Sequence, residues 1–232
     1  MPVPKKISST ESCETFGGVS YHITGELVPV LNVDLQNMSV FFEHHVLLWK
    51  DTSVHVGLKS LQGVFKRIVA GMPLLMIEAK GPGNIGFSRD AAGHVFPLHL
   101  NHGQSIEVRE HQFLAATNNL DYNFKRVKGV SNMLLGGTGF FIDTFTAKEG
   151  DGILWVHGYG NVFEVVLGDG EQIDIEPGAW VYKDEGVHME TIFQKLTTGF
   201  IAGSSQIFWN RFTGPGKIGI QSMAYYYTDT SN

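Results

Sequence analysis

The chain has one cysteine, Cys13, among 232 residues. No internal disulfide can form, and nothing points to an oxidising compartment. Basic residues are also in short supply: 17 Lys and Arg stand against 23 Asp and Glu, a formal net charge of -6. A partner recognised through a phosphate backbone needs a basic stripe, so nucleic acid is not an expected partner. No segment approaches the roughly 18 uninterrupted apolar residues of a membrane helix. The opening MPVPKKISSTESCET is not followed by an apolar stretch of signal-peptide length, so the expectation is a cytoplasmic protein that is not transmembrane.

Several chemical motifs are missing too. There is no Gly-x-Ser-x-Gly elbow. Cys13 lies in a polar lead-in with no patterned His beside it. The strings GGTG at Gly136 and GDGE at Gly168 lack the Lys-Ser/Thr of a phosphate loop and read as hairpin turns. No cofactor is implied. An amphipathic helix is also missing, since the best candidate, residues 58–70, is interrupted by Gly63 and leaves room for one helical turn at most.

What is present is repetition. Segments beginning at Val40, Ile106 and Ile173 share one pattern, with starts 66 and 67 residues apart. Each is followed by an apolar-Gly punctuation (Val69-Ala70-Gly71, Leu135-Gly136-Gly137, Ile201-Ala202-Gly203) and then by a Gly-x-Gly turn. The three turns are Gly81-Pro82-Gly83, Gly158-Tyr159-Gly160 and Gly214-Pro215-Gly216. Glycine is abundant at 28 residues, aromatics reach 12%, and apolar residues alternate with polar ones in each copy. Period-two alternation between tight turns marks half-buried strands, so the fold class is all-β. Residues 1–18 read as a lead-in or late-joining edge strand. Residues 19–232 read as one β domain of three repeats, about 21–87, 88–164 and 165–228, in a single body around a pseudo-threefold axis. Each unit is expected to be a meander of four to six strands. HHVLLWKDTS, EHQFLAATNN and EPGAWVYKDEG would form its hairpin turns, and about ten extra residues around Phe145 to Gly152 a longer loop in the middle unit.

Ten histidines raise the question of a metal. His99 and His102, in the dense stretch from His94 to His102, are three apart, which in a strand places them on opposite faces unless a turn intervenes. Val54, Leu120 and Val187 begin the apolar face of a strand in each unit, and His55, Asp121 and His188 sit at equivalent places on the polar face. On a tight ring these three would form a two-His-one-carboxylate set; on a wide one they are separate solvated side chains. The pair His44-His45 has no histidine counterpart in the third copy. A cupin-like body is compatible with the strand pattern, but the His-x-His ligand set of cupins is absent, and no His follows Glu176-Pro177-Gly178 closely. Trp49, Trp155, Trp180 and Trp209 fall in strand-like apolar runs and read as core.

Four strings carry a family resemblance: Tyr21-His22-Ile23-Thr24-Gly25, Leu31-Asn32-Val33-Asp34-Leu35, the run from Ile175 to Tyr182, and the run from Phe208 to Gly216. They resemble the altered-inheritance-of-mitochondria protein twenty-four family from about Tyr21 to Tyr227, most closely in the third repeat. The first repeat departs from it at His44-His45, where members usually carry Pro-Gly. The resemblance implies a fold similar to the tryptophan RNA-binding attenuation protein, with shortened double-stranded β-helix units. It implies no catalytic residues. The expected function is therefore a non-enzymatic, self-associating β-scaffold that organises protein partners or a membrane-associated assembly. Its rivals are a cupin-like small-ligand or metal-binding enzyme and a nucleic-acid-binding ring.

Overall fold

The computed structural model describes residues 4–7, 12–16, 18–36, 38–59, 76–127, 140–196 and 205–224. The apolar-Gly punctuations and most of the helical candidate at 58–70 lie outside the described residues. Three strands lead in: β1 (Lys5–Lys6), β2 (Ser12–Phe16) and β3 (Val19–Thr24). Six follow as β4 (Val30–Asp34), β5 (Ser39–Glu43), β6 (Leu47–Lys50), β7 (His55–Leu58), β8 (Met76–Lys80) and β9 (Asn84–Phe87). The next six are β10 (Gly93–Leu100), β11 (Ser105–Arg109), β12 (Phe113–Thr117), β13 (Leu120–Val127), β14 (Phe140–Ala147) and β15 (Gly152–Tyr159). The last six are β16 (Val162–Leu167), β17 (Gln172–Ile175), β18 (Trp180–Asp184), β19 (His188–Leu196), β20 (Ser205–Thr213) and β21 (Gly216–Gln221). One short 3-10 turn, His44–Val46, joins β5 to β6, and there is no α-helix among the described residues. The chain is all-β.

The strands do not form meanders. In every group of six the first and third strands pair with the sixth, and the second and fourth with the fifth, all antiparallel. Each group therefore contributes two three-stranded halves, and the segments expected to be hairpin turns contain β6, β12 and β18 instead. The reason lies in the corner after the second strand. The chain turns there, at Glu43–Val46, Arg109–Gln112 and Glu176–Ala179, and the next strand joins a different partner rather than folding back.

Halves of neighbouring groups merge edge to edge. β5 pairs with β12, and β11 with β18. These junctions create a six-stranded sheet (β10-β15-β12-β5-β8-β7) and a seven-stranded sheet (β1-β16-β21-β18-β11-β14-β13). The remaining halves stand as a five-stranded sheet, β2-β3-β4-β9-β6, and a three-stranded one, β17-β20-β19. The lead-in strands extend existing edges, β2 through β3 onto β4 and β1 onto β16.

Alternation places the core. β3 buries Val19, Tyr21 and Ile23 and exposes Ser20, His22 and Thr24. Phe41, Phe113 and Phe145 pack ring against ring across the first junction, with centroids 4.8 to 6.2 Å apart. Trp155 and Trp180 are buried, as expected, but Trp49 is half exposed.

A β-bulge recurs where the third strand meets the sixth, at Leu47/Trp49, Phe113/Ala115 and Trp180/Tyr182. Opposite the bulge, Gly86 leaves its side-chain space to the Trp49 indole, and Gly219 leaves its own to the Tyr182 ring. The middle group reverses the exchange, with Ala115 facing Trp155. This register also corrects two expectations. Gly158 lies inside β15 opposite His94, so the counterpart of the Gly-Pro-Gly turns is Gly150-Asp151-Gly152. Phe145 to Ala147 belong to β14, so only the four-residue link 148–151, not a long loop, separates β14 from β15.

A Cβ added at Gly219 would lie 2.2 Å from the Tyr182 ring. Gly219→Ala is expected to lower stability by about 1–3 kcal/mol through overpacking. Gly57→Ala, where a Cβ meets nothing within 4 Å, should change it by less than about 0.5 kcal/mol. Urea denaturation of both variants checks the contrast.

Candidate functional site

Charged residues collect at the corners after β5, β11 and β17, where Glu43, Arg109 and Glu176 occupy matching positions. Glu43 is buried beside Arg89, which leaves the end of β9. The Arg89 Nη1 lies 2.6 Å from the His45 Nε2, and its Nη2 donates to the carbonyls of His111 and Phe113 in the next group. Because a guanidinium can only donate, the His45 Nε2 must accept, which requires a neutral ring. Burial and the neighbouring Arg89 charge agree, holding His45 down at a pKa of about 4. His111 and His157 are lowered to about 4 for the same two reasons, burial first and Arg89 second. His111 also has a left-handed backbone, φ 67°, a conformation costing a non-glycine residue roughly 1–3 kcal/mol. That turn aims its carbonyl at Arg89.

The second junction has its own cross-link. Arg109 donates to the Gly178 carbonyl at 3.4 Å, and the Gln221 amide donates to the same oxygen at 2.8 Å. Glu110 accepts from the Phe141 N–H and Glu176 from the Gly178 N–H, and burial raises the pKa of both carboxyls. Arg89 and Arg109 thus each tie one group of strands to the next.

A cleft of about 360 Å³ opens beside the same junction, lined by Glu107, Lys125, Ile142, Lys183, His188 and Met189 among others. Glu107 and Lys183 are both buried, with their charges 2.9 Å apart, and Lys125 meets the other carboxylate oxygen. Burial lowers the Lys183 pKa, although Glu107 acts in the opposite direction. The Lys183 ammonium donates to the Val187 carbonyl as well, at 2.7 Å. Both amines are therefore bonded to partners of the protein's own. The Ser88 hydroxyl donates to the Pro29 carbonyl, not to an imidazole.

The residues flagged in the sequence do not converge. His55, Asp121 and His188 occupy matching strand starts, but on three different sheets, and all three are exposed. Asp121 pairs with Lys148, and His188 alone lines the cleft. The His99 ring stacks on Phe16, with centroids 4.3 Å apart, beside the Tyr21 hydroxyl and Glu14. His102 sits in a turn whose N–H is taken by Asp151. Among the described residues no three His, Cys, Asp or Glu side chains are grouped closely enough to hold a metal ion. Arg89 and Lys183 were missed by reading the sequence. The available signal was departure from the repeat, since Arg89 stands where the matching residues are Gly158 and Ser222.

Fold and charge layout define an all-β protein whose buried ions bind its own strand groups together. The chain belongs to the mitochondrial biogenesis AIM24 family, whose profile matches residues 21–223. A comparison with curated proteins returns no match. Among solved structures it is similar to the crystal structure of protein SPYM3_0169 from Streptococcus pyogenes, with a TM-score of 0.67 and 21% identity over 89% of this chain and 94% of that one. That likeness concerns the fold. Among the described residues no helix is long and apolar enough to cross a membrane.

Removing one member of the buried pair strands the other. Glu107→Ala is expected to destabilise the protein by about 3–5 kcal/mol, and Glu107→Leu combined with Lys183→Met by much less; chemical denaturation of both checks this. The histidines give a pH signature. Their folded pKa of about 4 lies below the ordinary 6.5, so the unfolded chain takes up protons first as pH falls. Their contribution is complete above about pH 6.5 and is lost on descent to about 4. Raised Glu110 and Glu176 act in the opposite sense. His157→Gln, the residue found at the matching position 221, should flatten the fall of Tm across that window in thermal melts.

Proposed function

We propose that this protein is a non-enzymatic β-scaffold that self-associates and organises protein partners or a membrane-associated assembly, with its three strand groups arranged around a pseudo-threefold axis in the manner of the tryptophan RNA-binding attenuation protein. The observation that carries this reading is the use of the buried charge. Arg89, Arg109, Glu107 and Lys183 would be the obvious catalytic groups, and each is bonded to a backbone carbonyl or an opposite charge of a neighbouring strand group. Such groups fix the position of one unit against the next, and a reacting group needs a free coordination position that these do not offer. The thrice-recurring pairing diagram supports the axis. The single cysteine supports a reducing, cytoplasmic setting, and the family's link to mitochondrial biogenesis is compatible with an organising role.

Native mass spectrometry tests the reading. The expected spectrum shows an assembly of identical subunits without metal or small-molecule mass. A monomer at all accessible concentrations, or a stoichiometric metal lost on His188→Ala, would overturn it.

A further inference from the structure

Both junctions between strand groups use one register. Val40, Phe41 and Phe42 of β5 face Thr117, Ala116 and Ala115 of β12. Ile106, Glu107 and Val108 of β11 face Asp184, Lys183 and Tyr182 of β18. The same rule applied once more calls for β17 and β6, yet among the described residues β17 is hydrogen-bonded only to β20, and β6 only to β9. Two halves of a third junction are open in one chain.

Burial at matching positions records the difference. The bulge residues Leu114 and Val181 are 0% exposed, whereas their counterpart Leu48 is 52% exposed. Ala115 and Tyr182 are 0% and 1% exposed, whereas Trp49 is 47% exposed. A neighbouring group covers the first four, and nothing described covers the β6 pair. On the other edge Asp174 is exposed, while its counterparts Phe41 and Glu107 are buried.

We propose that β17 of one copy of this chain adds antiparallel to β6 of a second copy, in the register of the two internal junctions. This rests on the self-association reading and assigns it a surface. Ile175 then faces Trp49, and Asp174 faces Lys50. The charge pattern argues for this occupant. In the filled second junction the Glu107 carboxylate takes one cation from its own group, Lys125, and one from the neighbour, Lys183. Asp174 already holds its own group's cation, Arg211, through two hydrogen bonds of 2.7 and 2.8 Å. Lys50 of a neighbouring copy supplies the second. Backbone hydrogen bonds along an open edge give affinity, while the side chains fix register. Because β17 and β6 of one chain are not paired with each other, its three groups leave the turn about their axis unclosed; every copy offers one edge of each kind, and copies add until a symmetric ring closes.

Light scattering of the full chain and its variants tests this at near-physiological ionic strength. Lys50→Glu and Asp174→Lys are each expected to weaken association at least about tenfold, because like charges then oppose each other across the junction. Mixing the two variants should restore assembly, since each supplies the edge the other lacks. Leu48→Lys should weaken it as well without touching the ion pair or the fold. In a Cys13→Ser background, Lys50→Cys with Asp174→Cys should give covalent multimers on oxidation. Disulfide-linked monomers instead would mean that the chain closes on itself and would overturn the proposal. An assembled wild type with unchanged Lys50→Glu, Asp174→Lys and Leu48→Lys variants refutes this surface and leaves self-association standing. A monomeric wild type refutes both.

Discussion

The edge-to-edge pairing of one group's second strand with the next group's third strand is the constraint on which the rest depends. Without β5 against β12, Phe41 would lose Phe113, and the apolar face of each three-stranded half would meet water. A group of about sixty residues cannot bury enough surface alone to offset its conformational entropy comfortably. Joining halves into six- and seven-stranded sheets removes that exposure and satisfies the backbone donors and acceptors of four otherwise bare edges.

The buried charges follow from those junctions. At each corner the chain leaves one sheet for another, and carbonyls such as those of His111 and Gly178 turn inward without a strand partner. Arg89 and Arg109 satisfy them, and the guanidinium suits this work because it offers several donors in one plane and never loses its charge. Burial first, and the Arg89 charge second, hold the pKa of His45, His111 and His157 below the ordinary imidazole value. Around this fixed cation the His45 Nε2 accepts from Arg89, while the His157 Nε2 donates to the Ala91 carbonyl.

Many strands, both Gly-Pro-Gly turns and most core positions were legible in the sequence because they depend on local period. Val19, Tyr21 and Ile23 announce a buried face by alternation alone, and both Gly-Pro-Gly strings adopt matching backbone, with Gly83 and Gly216 at positive φ. Pairing was not legible. A bulge and a corner look like a hairpin when only composition is read, so β6, β12 and β18 were mistaken for turns. The middle turn was misassigned because Trp155 occupies the glycine position of the middle group, with Ala115 compensating across the strand pair. That exchange conserves volume between two strands and leaves no trace in either one alone.

The candidate site divides along the same line. By itself the sequence determined that this chain would be all-β, repeated and poor in recognisable catalytic motifs, because those properties are written in period, composition and spacing. It also supplied His55, Asp121 and His188 as matching positions. Only the tertiary structure decided that matching positions lie on separate sheets, that Arg89 meets Glu43 and the His111 carbonyl, and that Lys183 meets Glu107, each from distant segments. The physical reason is that burial of a charge is permitted only where another part of the chain brings the opposite charge or a free carbonyl to it. Such meetings are properties of strand pairing, and strand pairing joins residues that no local pattern connects.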